Sequence, residues 1–222
     1  MTKTYLVTGA NRGIGLEFCR QLKEQGNQVI AVCRSPSEEL TSLGIQVEAG
    51  IELTDIEAVQ DLVTSLAGTT IDVLINNAGI AERISLANLD VASIRRQFEV
   101  NAIAPLNFTS GLLPNLTSGS KVVLMTSRMG SIEDNTSGGS YGYRMSKVAL
   151  SMAGKSLSLD LKPKGIAVAI LHPGLVKTRM TGFSDSGITT ETSVKGLLKR
   201  IEGLNLQNTG TFWHSNGEVL PW

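Results

Sequence analysis

The chain has 222 residues, 41% of them hydrophobic and 18% charged, and its 20 basic and 20 acidic residues cancel. This suits one well-filled globular core and excludes a disordered or disulfide-stapled chain. A whole-chain basic footprint for nucleic acid is absent, and no apolar run is long enough to span a bilayer.

No signal or transit pattern opens the chain, so the cytoplasm is the expected compartment. In chain order, residues 4–7 form a short apolar run that leads straight into Gly9-Ala10-Asn11-Arg12-Gly13-Ile14-Gly15. Residues 14–25 then carry Ile14, Phe18, Cys19 and Leu22 at helical spacing and stop at Gly26-Asn27. Further apolar runs follow at 28–32, 46–48, 73–75, 121–125 and 167–171, with a last short one at 210–213. Runs of Val, Ile and Leu without polar alternation suit parallel strands buried on both faces. A second strong helix is read at 143–161, ended by Pro163-Lys164-Gly165. The repetition predicts an α/β fold: a single-domain, Rossmann-type doubly wound parallel sheet with helices on both faces. Residues 1–222 are read as that one domain. Cys19 and Cys33 lie in apolar patterns and read as small buried hydrophobes.

In such sheets ligands sit beyond the C-terminal strand ends, so the turns there are where chemistry is sought. The first turn, with Gly9, Gly13 and Gly15, lets backbone amides approach a phosphate at a helix N-terminus. Its spacing is GxxxGxG, not the common GxGxxG. The second strand ends at Arg34 with no acid until Glu38, and Arg12 adds a second guanidinium. Two arginines and no carboxylate fit a 2′-phosphate, so NADP(H) is the expected cofactor, over the reading of two solvated surface arginines.

Tyr143 and Lys147 lie four apart and share a helix face. A neighbouring ammonium favours the phenolate, which makes Tyr143 a candidate acid/base with Lys147 lowering its pKa, although YxxxK alone is common by chance and reads first as a surface Tyr and Lys. Ser127, just past the 121–125 strand, places a hydroxyl at the same sheet edge. Pro105 lies in the helix-like stretch 94–106, four residues after Asn101. It cannot donate to the Asn101 carbonyl, which predicts a break in the helix there, or a helix start near Pro105.

Taken together, five ordered signals resemble the short-chain dehydrogenase/reductase family across nearly the whole chain. They are the glycine turn from Thr8, Asn76-Asn77-Ala78-Gly79, Asn101, Ser127 with Tyr143-Arg144-Met145-Ser146-Lys147, and Pro173-Gly174 followed by Val176 and Thr178. Within the family the resemblance narrows to C-factor and Sniffer-like carbonyl reductases, on residues 127–131, 135–139 and the terminal Pro221-Trp222. It implies that Ser127 orients the carbonyl, Tyr143 exchanges the proton, Lys147 holds the nicotinamide ribose, and Asn101 completes a relay through water. Asn77, Ala78 and Gly79 would support the adenosine side, and Thr178 the carboxamide. Glu52, followed by Leu53, stands where the family usually has an adenine-contacting Asp; Asp55 is placed to cap the next helix. The implied reaction is interconversion of a small-molecule carbonyl and alcohol. The alternative is an NADP(H)-binding regulatory or signalling protein with little turnover. The family commonly forms homo-oligomers, dimers or tetramers, and no nucleic acid or membrane partner is expected.

His172 and His214 read as structural residues without metal-ligand spacing, and Trp213 and Trp222 as packing. Residues 179–193, rich in Gly, Ser and Thr, suit a lid. Met129, Ile132, Met180 and Phe183 are candidates for substrate contacts, with simple packing the first reading of each.

Overall fold

A computed structural model describes residues 2–222. Seven strands, β1 (Thr4–Thr8), β2 (Gln28–Val32), β3 (Gln46–Glu48), β4 (Val73–Asn76), β5 (Lys121–Met125), β6 (Ala167–His172) and β7 (Phe212–His214), form one sheet. Its order is β3-β2-β1-β4-β5-β6-β7 and every ladder is parallel. The helices are α1 (Gly13–Glu24), α2 (Glu38–Ser42), α3 (Ile56–Ser65), α4 (Val91–Phe98), α5 (Ala104–Gly111), α6 (Tyr141–Leu161) and α7 (Thr190–Gly203).

The period of two along each strand divides the core into two layers. Val7, Ala31, Ile75, Val123 and Leu171 face α1, α2 and α7, whose Phe18, Leu40 and Leu197 are fully buried. Leu6, Ile30, Leu74, Leu124 and Val168 face α3, α5 and α6 through Leu62, Phe108 and Leu150. Each such side chain contributes roughly 1.5–3 kcal/mol by leaving water.

Beyond one-residue shifts at the ends of β1, β4, β6 and α1, three stretches differ from those read in the sequence. Helix α6 begins at Tyr141, two residues early, from Ser140 in the left-handed region. The last strand is displaced to Phe212–His214. The lid stretch is partly helical: Thr189 caps α7, whose first turn covers Thr190 to Ser193. A cap hydroxyl inside a Thr-rich run looks like loop composition until its partner amide is seen.

Candidate active site

Strand order reverses between β1 and β4, and the crevice at their C-terminal ends is where a ligand is expected. Gly9 and Gly13 both have positive φ, +65° and +56°. A Cβ on Gly9 would come within 2.8 Å of Ala78 Cα, and one on Gly15 would overlap the Gly9 carbonyl and crowd Asn77 Nδ2. The glycine turn is therefore pressed against Asn77-Ala78. The Thr8 hydroxyl accepts from the amides of Asn77 (3.0 Å) and Ala78 (3.1 Å), and Asn77 Nδ2 donates to the Thr8 carbonyl (3.0 Å).

At the start of α1, Arg12 makes no side-chain cap and the first turn has no acid, while Ile14 packs on the core. Uncapped amides and the positive end of the helix dipole meet a glycine cradle, and this fits a dinucleotide phosphate. Asn11 Nδ2 donates to the Ser35 carbonyl (3.1 Å) beyond β2.

Arg34 and Glu52, read separately in the sequence, meet: Arg34 Nη1 lies 3.1 Å from Glu52 Oε2. Leu53 is buried against the α3 layer. Asp55 caps α3 by accepting from Glu57 and Ala58.

Ser127 follows β5 and opens a 3-10 turn, Arg128–Gly130, by accepting from the Met129 amide (3.1 Å). The turn lies directly on α6. The Thr126 hydroxyl donates to the Lys147 carbonyl (3.0 Å), and a Cβ on Gly130 would lie 2.7 Å from the Lys147 carbonyl carbon. From α6, Lys147 is only 4% exposed, donates to the Met125 carbonyl (2.8 Å), and sits 5.7 Å from the Tyr143 ring centroid. Burial pushes its pKa down to about 8.

The Tyr143 phenol moves opposite to the sequence expectation. Burial raises its pKa, and the neighbouring Ser127 hydroxyl only partly offsets the rise. Lys147 lies over the ring and is itself desolvated, so it does not reverse the shift.

Asn101 is fully buried in a π-turn, Glu99–Ile103, between α4 and α5. Pro105 stands in the first turn of α5. The wider π-turn breaks the regular helix just before a residue that cannot donate, so the break and the helix start coincide. Asn101 Oδ1 accepts from the Ile80 amide (2.8 Å), and Nδ2 donates to the Ile80 carbonyl (2.8 Å) and Ser146 Oγ (2.9 Å). A Cβ on Gly79 would lie 3.1 Å from Asn101 Oδ1 and 3.4 Å from Lys147 Nζ, so these three converge.

After β6, the Pro173 carbonyl accepts from Ser193 and Ser215, and Gly174 has φ +89°. Val176 bridges Ile188, which closes the base of the loop. Thr178 Cγ2 lies 3.5 Å from where a Gly13 Cβ would stand, so this loop reaches the glycine turn. Met180, Phe183 and Ile132 are exposed rather than packed. Trp222 stacks on Phe212, with centroids 5.5 Å apart.

Ser146 and Thr8 had no separate signal in the sequence. Ser146 Oγ accepts from Asn101 and donates to the Tyr143 carbonyl (2.8 Å). A helical serine bonds back to its own helix in many settings, so its second partner shows only in the fold.

A family model described as short chain dehydrogenase matches residues 3–188. The chain belongs to the short-chain dehydrogenase/reductase family, and it is an oxidoreductase. A 1-hydroxy-2-glutathionyl-2-methyl-3-butene dehydrogenase of Rhodococcus sp. (strain AD45) is 41% identical over 99% of both chains. The C-signal of Myxococcus xanthus is 45% identical over 72% of this chain and 97% of its own. Among solved structures, the carbonyl reductase Sniffer of D. melanogaster superposes with a TM-score of 0.92 at 30% identity, covering 100% of both chains. An NADPH-bound carbonyl reductase from chicken fatty liver gives 0.91 at 32%, covering 100% of this chain and 99% of that one. Among the described residues, no helix is long and apolar enough to cross a membrane, and no three His, Cys, Asp or Glu side chains could hold a metal.

Proposed function

We propose that this short-chain dehydrogenase/reductase is an NADP(H)-dependent carbonyl reductase. It acts on small aldehydes or ketones, or on the corresponding alcohols in reverse, with residues 1–222 working as one unit. The observation that carries the reading is the meeting of Ser127, Tyr143 and Lys147 where the β5 turn docks on α6. The glycine cradle and the uncapped start of α1 would hold the pyrophosphate, with Thr178 across from Gly13. Arg12 and Arg34 would take the 2′-phosphate, and the NADPH-bound neighbour supports that choice.

NADPH, when bound, supplies the hydride that goes to the carbonyl carbon. Ser127 hydrogen-bonds the carbonyl oxygen, and Tyr143 gives that oxygen its proton, leaving a phenolate to be reprotonated. A phenol whose pKa burial raises is protonated at neutral pH, as a proton donor must be before the oxygen becomes basic. Lys147 Nζ, beside Gly79 and Asn101, would hold the ribose hydroxyls and steady the phenolate.

The test is binding of NADPH and NADH, then turnover against aldehydes, ketones and quinones, for wild type and Tyr143→Phe. The expected result is NADPH preference and turnover that falls roughly 10²–10⁴-fold in the variant while binding stays. NADH preference would overturn the arginine assignment. Similarity to a protein named as a signal supports a second reading, nucleotide binding without turnover. Tight NADPH binding with no turnover of any carbonyl would favour it.

A further inference from the structure

We propose that Arg144, the residue after Tyr143, is a positioning residue that registers the Ser127 turn against α6 and thereby aligns Ser127 with Tyr143. The proposal rests on the reading of Ser127 and Tyr143 as the reacting pair. The start of α6 lacks the usual means of fixing it. Gly138, Gly139 and Ser140 are successively left-handed, with φ of +62°, +64° and +49°, and Ser140 makes no side-chain cap. The loop that joins Ser127 to Tyr143 therefore arrives at the helix without the bond that normally pins such an entry.

Arg144 supplies it from one turn inside. Its Nε donates to the Gly138 carbonyl (3.3 Å), Nη2 to Ser137 Oγ (2.9 Å) and Nη1 to the Met129 carbonyl (3.2 Å). The first two contacts hold the arriving loop. The third reaches across to the serine turn itself. Ser127 thus lies between two points tied to α6: Thr126, bonded to the Lys147 carbonyl, and Met129, bonded to Arg144. Gly130 permits this approach, since any Cβ there would collide with the backbone of Lys147 and Val148. All three acceptors are neutral, and a planar guanidinium spans their directions as a single ammonium cannot. Fork geometry, not charge, is what the position requires.

The experiment uses Arg144→Gln and Arg144→Lys in the full chain, beside wild type and Tyr143→Phe. Phenolate formation is followed by ultraviolet difference absorbance after rapid pH jumps, and the Tyr143→Phe background isolates Tyr143. With Ser127 displaced, the Tyr143 midpoint rises above wild type in Arg144→Lys, which keeps the charge and loses the fork, and Arg144→Gln rises at least as far. With an active carbonyl substrate, kcat drops roughly 10- to 100-fold while KM for NADPH stays within about twofold. An unchanged or lowered phenol midpoint, or an unchanged kcat with only a lower Tm, would overturn the proposal and leave Arg144 as loop packing. Should wild type turn over no carbonyl, the functional reading fails, and the phenol titration still decides the role of Arg144. If Arg144→Gln does not fold, the same readings on Arg144→Lys decide it.

Discussion

At the scale of single residues, the Arg34–Glu52 pair decides how the cofactor end of the crevice behaves. Both side chains are largely exposed, 67% and 42%, so the ion pair is weak and screened by salt. A phosphate offers two or three charged oxygens to the guanidinium and displaces one carboxylate easily. Arg34→Ala is therefore expected to weaken NADPH binding about 10- to 100-fold, with NADH nearly unaffected. Glu52→Gln removes a competing negative charge and should tighten NADPH about two- to fivefold at low salt, less as salt rises. Equal effects on both nucleotides, measured by fluorescence titration at two salt concentrations, would show that neither side chain reads the phosphate. Residue identity was legible here and pairing was not. Arg34 and Glu52 lie 18 positions apart, beyond the C-terminal ends of the neighbouring strands β2 and β3, and only the β2–β3 register brings them together. The sign of the Tyr143 shift was hidden for a similar reason: spacing reveals the neighbouring ammonium but not the burial that raises the phenol.

At the scale of elements, the strands were legible because a buried parallel strand leaves a run of Val, Ile and Leu with nothing polar in it. The π-turn left only the Pro105 signal, since its extra residue has no composition of its own. The docking of the serine turn on α6 left none, because Gly130 in a sequence looks like any loop glycine. Its role makes it the most sensitive point of that contact. Gly130→Ala places a Cβ 2.7 Å from backbone that cannot swing aside, so the turn must retreat from the helix that carries Tyr143 and Lys147. Turnover should fall at least about tenfold with NADPH binding kept. Gly203, at the end of α7, is the contrasting case: no atom lies within 4 Å of a Cβ there. Gly203→Ala should leave turnover alone and add up to about 1 kcal/mol of stability by restricting the unfolded chain. Thermal denaturation and initial rates on the two variants separate the contact from a general intolerance of glycine replacement. Loss of turnover in both would sink the docking argument.

At the scale of the whole molecule, the sheet brings distant segments to one edge, and His172 shows what that costs at low pH. It ends β6 beside His214 of β7, with the rings 4.9 Å apart and nearly perpendicular. Its Nδ1 is buried without a protein partner. Burial lowers its pKa to about 3, helped by His214 and Arg128 and opposed by Asp134. The folded value lies below the ordinary histidine value of 6.5, so the unfolded chain takes up the proton first. Stability is then complete above about pH 6.5 and is lost as pH falls toward 3, at up to about 1.4 kcal/mol per pH unit. His214 is lowered too and adds in the same direction. The carboxylates whose pKa values are lowered by partners, Glu17, Glu39 and Glu82, act only below their ordinary range near 4.5, so pH 6.5 to 5 isolates the histidines. Urea denaturation across that window should show wild type losing stability steeply. His172→Gln, which has no proton to take up, should lose it with a shallower slope set by His214 alone. Parallel curves for the two proteins would mean that the strand-end histidine is protonated in the fold as readily as in the unfolded chain, and that its burial exacts nothing.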